Sequence, residues 1–282
     1  MRQSSNPVFR SLPQQQQGGY AQFGTGIAGA QQMGHQAQPY APYPPQTGVS
    51  RQLTIDDVVT KTGITLGVLS VVAVISYFVV SANLALAMPL TLIGALGGLA
   101  LVLIATFGRK QDNPAIVLGY AVLEGMFVGA VSFVFANVVV SGANAGAMIG
   151  QAVLGTIGVF FGMLVVYKTG AIRVTPKFTR MIVAGMVGVL VLILGNFVLA
   201  MFGVGGGEGL GLRSGGPIAI IFSLFVIALA AFSFLIDFDA ADQMIRAGAP
   251  EKAAWGVALG LTVTLVWLYL EILRLLSYFQ SR

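Results

Sequence analysis

The chain has 282 residues, of which 56% are hydrophobic and only 9% charged, against roughly 25% charged in ordinary soluble domains. A mean hydropathy of +0.85, with apolar runs of about twenty residues, excludes a soluble fold, which could not hide so much apolar surface behind so little polar exterior. Cysteine is absent, and the one histidine, His35, lies among polar residues near the start, which excludes disulfide scaffolds, thiolate metal sites, a Ser-His-Asp triad and an HExxH zinc helix. The net charge of +5 does not imply nucleic acid, because the basic residues sit at the ends of hydrophobic runs, where they determine topology.

The first fifty residues hold eleven glutamines and six of the eleven prolines without apolar periodicity. Residues 1–53 therefore read as a disordered Gln/Pro/Gly-rich cytoplasmic tail, too long and too polar to be a signal peptide. Its Tyr20, Tyr40, Tyr43 and the Pro-Tyr-Pro-Pro run offer either a docking motif for a partner or a solvated tail. Residues 54–282 read as an all-α, seven-helix transmembrane domain. Thr54, three residues before Asp57, carries a helix-capping signal with acidic residues in the first turn.

Spans are expected at 62–81, 87–107, 114–139, 145–167, 181–203, 216–237 (extending to about 246) and 253–279. Each is long enough for a hydrocarbon core of ~30 Å at ~1.5 Å per residue. Pro89, Pro114, Pro217 and Pro250 stand at or just before span starts, where a missing N–H costs nothing. Twelve of the fifteen Lys and Arg residues fall on the tail's side, and Arg213 alone lies in a loop on the other. The N-terminus is thus expected in the cytoplasm and the C-terminus outside, with a broken last helix as the alternative. Gly63/Gly67, Gly125/Gly129, Gly158/Gly162 and Gly256/Gly260 match small-xxx-small packing. The glycine-rich run from Gly203 reads as an outer linker, since no Lys-Ser/Thr follows it.

Only ten acidic residues exist, and an ionised carboxylate in hydrocarbon costs ~2.5–3.5 kcal/mol, so acids inside spans mark cavities or partners. Asp56, Asp57, Asp112, Glu208 and Glu251 lie at helix ends or in loops. Glu124 lies inside the third span among apolar neighbours, and Asp237, Asp239 and Asp242 cluster towards the end of the sixth. Glu271 is inside the last, three residues from Arg274, with which it can form a local ion pair. Asp242 reads as a solvated helix end.

The Glu124-Gly125 pair, the Asp237-Phe-Asp239 ending and the segment Leu268-Tyr-Leu-Glu-Ile-Leu-Arg-Leu-Leu276 resemble the transmembrane Bax inhibitor motif family and its bacterial relatives, over about residues 55–279 and without the tail. The resemblance implies six helices around a central last one and pH-sensitive passage of calcium, gated by a carboxylate from each of the last two helices. Here those would be Asp237 (or Asp239) and Glu271. Two departures stand out: glutamate replaces the usual aspartate, and the stretch between the acids is longer. With a turn near residue 248, Asp237 and Glu271 should be offset by ~18 Å, and Glu124, ~15 Å into its span, should lie nearer the depth of Asp237.

The expected function is a low-flux, pH-sensitive cation leak channel of the cytoplasmic membrane, carrying calcium or coupled to protons. Its ion pathway and gate would involve Asp237, Asp239, Glu271, Glu124 and Arg274, with calcium at Asp237 and Glu271 as transported ion rather than cofactor. The alternative is a non-conducting regulator that binds a membrane protease or another membrane protein. No enzyme is expected, because neither an intramembrane Gly-x-Gly-Asp nor an activated serine is present. The bilayer is the expected partner, and nucleic acid is not.

Overall fold

The structure is a computed structural model, which describes residues 51–140 and 145–280. The expected tail therefore lies outside the described residues, apart from 51–53. Seven helices follow: α1 (Ile55–Ala82), α2 (Ala87–Phe107), α3 (Pro114–Phe133), α4 (Ala145–Thr169), α5 (Pro176–Met201), α6 (Pro217–Arg246) and α7 (Ala254–Gln280). All are long and apolar enough to cross a membrane, and among the described residues no strand longer than an isolated bridge occurs. The fold is the all-α, seven-span architecture that the sequence implies, with α7 the most thoroughly buried helix. It packs against α1, α3, α4 and α6, while α2 rests on α3 and α5 on α6.

Local chemistry explains most boundaries. Thr54 closes a capping box with Asp57, and Asn113 caps α3 ahead of Pro114 in its first turn. The fifth helix begins at Pro176, five residues before the expected start, because Thr175 accepts a hydrogen bond from the Phe178 amide. Lys177 and Arg180 therefore lie on the helix, where long side chains can reach the interface. The third span changes character at its end, where Val134–Val139 forms a π-helical turn. Pro250 precedes a 3-10 turn, Glu251–Ala253, rather than α7 itself.

Large apolar side chains such as Phe78, Leu96, Phe197 and Phe225 are more than half exposed. In a bilayer this surface faces lipid, which is as apolar as they are. Close helix contact comes from glycine at a few of the predicted positions. A Cβ on Gly125 would lie 2.6 Å from the Leu69 carbonyl, and one on Gly129 would strike Ala73 and Ser76, so this pair seats α3 on α1. Gly63, Gly67, Gly158 and Gly162 face open space. A pair absent from the expected set, Gly94 and Gly98, seats α2 on α3.

The end of the bundle that carries residues 51–54, 108–113 and 247–253 is called the near end. There Gln52 bridges Pro250, the Leu53 amide donates to the Ala249 carbonyl at 2.8 Å, and the Glu251 amide donates to Arg51 at 2.8 Å. Leu53 is 3% exposed and packs with Phe234, Phe238 and Leu261. Arg51 pairs with Asp57 and Glu251, and Lys61 with Glu251.

Two helices end at the near end in similar turns, each with an amide reaching back five residues beside a residue of positive φ. In α6 the residue with positive φ is Gly248 (66°), and the Ala249 amide reaches Met244. In α2 that place is taken by Arg109 (φ 52°), with the Lys110 amide on Ala105. A left-handed conformation costs a non-glycine residue about 1–2 kcal/mol.

Candidate functional site

Asp237 lies nine residues before the end of α6, about 14 Å inside the near end by helical rise. It is partly buried and accepts a hydrogen bond of 2.7 Å from the Thr264 hydroxyl of α7. Thr264 is ten residues into α7, about 15 Å deep by the same count. Gly256, Gly260 and Thr264, spaced by four, share one face of α7, and Gly260 is the one exposed position on that helix between Ala254 and Tyr278. At the near end this face opens on a cavity of about 280 Å³, lined by Thr106, Arg109, Gln111, Asp112, Met244 and Gly256 among others. Lys252 stands 2.8 Å from Asp112. Its hydrogen bond holds the Asp112 carboxyl below the usual carboxylate range, against the opposing effect of desolvation.

Glu271 is 3% exposed and lies seven residues beyond Thr264, about 10 Å further along α7. It does not meet Asp237. Its Oε1 accepts from Arg274 at 2.6 Å and from both Nη atoms of Arg213 at 3.3 Å. Oε2 is buried without a hydrogen-bond partner among the described residues. Arg213 comes from the loop between α5 and α6 and lies over the Phe222 ring, while Arg274 lies over Phe135. The Tyr278 hydroxyl donates to the Arg213 carbonyl at 3.4 Å.

The offset between Asp237 and Glu271 is thus about 10 Å and not ~18 Å. Residues 247–250 connect the two helices and Glu251–Ala253 forms a 3-10 turn before α7, and the hydrogen bond from Thr264 to Asp237 fixes their register. The glycine-rich segment from Gly203 is also more than a linker. The Leu210 amide donates to the Asn196 side chain at 2.7 Å, and the segment carries Arg213 to Glu271.

Glu124 is partly buried in the seam between α2 and α3, about 15 Å from the start of α3. Gly98 makes room for it: a Cβ there would lie 2.8 Å from Glu124 Oε2. One turn earlier Tyr120 packs with Leu259 of α7. Asp239 faces elsewhere, accepting 2.6 Å from Gln243 and 3.5 Å from Tyr167, and Asp242 pairs with Arg246 at 2.7 Å. Position within the spans marks Glu124 and Asp237 in the sequence, but not their partners Gly98 and Thr264, nor Arg213 beside Glu271. Only Arg213 carried a signal, as the lone cation of its loop. Among the described residues no three acids or histidines converge on a metal position.

A larger cavity of about 630 Å³ lies between α1, α3, α4 and α7, with Leu69, Val74, Val153 and the hydroxyl pair Ser132 and Tyr269 (2.8 Å) in its lining. It contains no acid.

Six spans around a buried seventh, with carboxylates of α6 and α7 held at two depths, define a polytopic membrane protein. The chain belongs to the Bax inhibitor 1 like family, whose model matches residues 6–281. That match takes in nearly all of the polar tail, beyond the 55–279 of the sequence resemblance. No curated protein matches the chain.

Proposed function

We propose that the chain is a pH-sensitive cation leak channel of the cytoplasmic membrane, with its N-terminus in the cytoplasm, and that Asp237 is its cation-facing acid. One observation carries the reading: Asp237, inside a span, accepts a hydrogen bond from Thr264, which shares a face of α7 with the exposed Gly260. Glycine keeps that face narrow in side chain but rich in backbone. An ion passing there would take oxygen from the carboxylate, the Thr264 hydroxyl, backbone carbonyls and water, the hard ligands that suit calcium. Glu271 has a different part. Two guanidiniums occupy its oxygen, so Arg213, Glu271 and Arg274 form a closed ionic seal at the far end instead of a second cation ligand. Asp239 and Asp242, tied to Tyr167, Gln243 and Arg246, serve the helix end. No cofactor and no catalytic residue is part of this reading.

Flux from purified protein in liposomes tests it. Cation flux should fall on acidification as Asp237 takes up a proton, and Asp237→Asn should leave a low flux that no longer responds to pH. A second reading, a non-conducting regulator bound to another membrane protein, draws on the pairing of residues 51–53 with the loop before α7, directly after a Gln-, Pro- and Tyr-containing segment. Absence of flux above protein-free liposomes would favour it.

A further inference from the structure

The near-end cavity has a second property, which does not depend on ion conduction. Its wall carries Arg109 in a left-handed backbone conformation, where every other positive φ among the described residues belongs to glycine. The chain has 37 glycines, and α6 uses one at the equivalent place in the same turn. In α2 the glycine stands one residue earlier, at Gly108, where a Cβ would strike the Ile104 carbonyl. The strained position is left to arginine, which lines the cavity together with Thr106 and Gln111.

Among the described residues Arg109 has no carboxylate within salt-bridge distance, and the one acid in the cavity wall, Asp112, is already matched by Lys252. The balance of Arg109, Lys252 and Asp112 is one positive charge, which one phosphodiester would neutralise. A guanidinium fork, a hydroxyl and an amide are the donors that bind phosphate oxygens. Met244 and Gly256 on the facing wall offer apolar surface. The cavity lies where α2 ends and α3 and α7 begin, at the level of headgroups for helices that span a bilayer.

We infer that the cavity between Thr106, Arg109 and Gln111 and the facing Met244 and Gly256 is a binding site for the phosphate headgroup of an anionic phospholipid. Arginine at the helix C-terminus would also offset the helix dipole, but the adjacent Lys110, outside the cavity wall, could do so without a positive φ.

Thermal unfolding of the full chain, followed by fluorescence of Trp255 and Trp267, tests the site in nanodiscs of phosphatidylcholine alone and of equal parts phosphatidylcholine and phosphatidylglycerol. The wild type should unfold at a higher temperature in the mixed bilayer. Arg109→Gly should match or exceed the wild type in phosphatidylcholine, since it relieves the backbone, and should lose the increment from phosphatidylglycerol. Arg109→Lys should keep part of the increment, and Lys110→Ala nearly all of it. An undiminished increment in Arg109→Gly would overturn the site, as would an equal loss in Lys110→Ala, which would mark a general surface-charge effect. A lower midpoint of Arg109→Gly in phosphatidylcholine would assign Arg109 a structural role instead. An increment reproduced by inorganic phosphate in phosphatidylcholine would make the ligand free phosphate and overturn the lipid.

Discussion

Glu124 shows how a single acid in a span can be recognised without its purpose being visible. Its cost in hydrocarbon follows from neighbours such as Val122 and Phe127, so its need for a special setting is legible in the sequence. The setting itself, a gap opened by Gly98 on another helix, is not, because nothing in the sequence aligns α2 with α3. Glu124→Gln should insert normally, since an amide is no harder to bury than a carboxylate, and should alter or abolish cation flux. Normal flux with a normal pH response would remove Glu124 from the pathway. Asp112 offers a test outside the spans. Its folded carboxyl titrates below the unfolded one because Lys252 holds it ionised, so the pair stabilises the fold above the unfolded value near ~3.9. That contribution is lost as pH falls through the lower folded value. Asp112→Asn should therefore cost ~0.2–1 kcal/mol at neutral pH, the scale of a half-exposed pair, and the difference from wild type should vanish in acid. A cost that persisted at low pH would mean that Asp112 acts through shape and not charge.

At the scale of helices, capping residues and prolines were the most informative signals, and glycine spacing was the least. Thr54 and Pro114 mark their helix starts because capping is local chemistry. Of four glycine pairs with the same spacing, only Gly125/Gly129 seats one helix backbone against another, since that role depends on which face meets a neighbour. Gly129→Leu should force α1 and α3 apart and destabilise by ~1–3 kcal/mol, as overpacking does. Gly158→Leu, which points into open space, should cost little. Equal unfolding midpoints for the two variants in detergent would show that the α1 to α3 contact is not tight. The π-helical turn at Val134–Val139 had no counterpart in the apolar pattern, because its residues are as hydrophobic as those of the helix it ends.

For the whole molecule, orientation rests on twelve of fifteen cations lying on the tail's side. Single cysteines can test it cleanly, because the native chain has none. A cysteine placed near Arg173 should resist an impermeant thiol reagent added to intact cells, whereas one near Gly206 should react. Reaction near Arg173 would reverse the orientation. In the proposed orientation Asp237 of α6 would lie towards the cytoplasmic side and Glu271 of α7 towards the outer side. Were the two a proton-sharing pair, Asp237→Asn and Glu271→Gln would each flatten the pH response, and the double variant would add little. With about 10 Å of helix between them and separate partners, they should instead act independently. Asp237→Asn should flatten the pH response of flux. Arg213→Ala should raise flux at every pH, by leaving Glu271 held by Arg274 alone, and should leave the pH midpoint in place. The double variant should then show both changes together. If Arg213→Ala moved the pH midpoint, the far-end seal and Asp237 would be coupled through α7, and the independence inferred from their separation would be wrong.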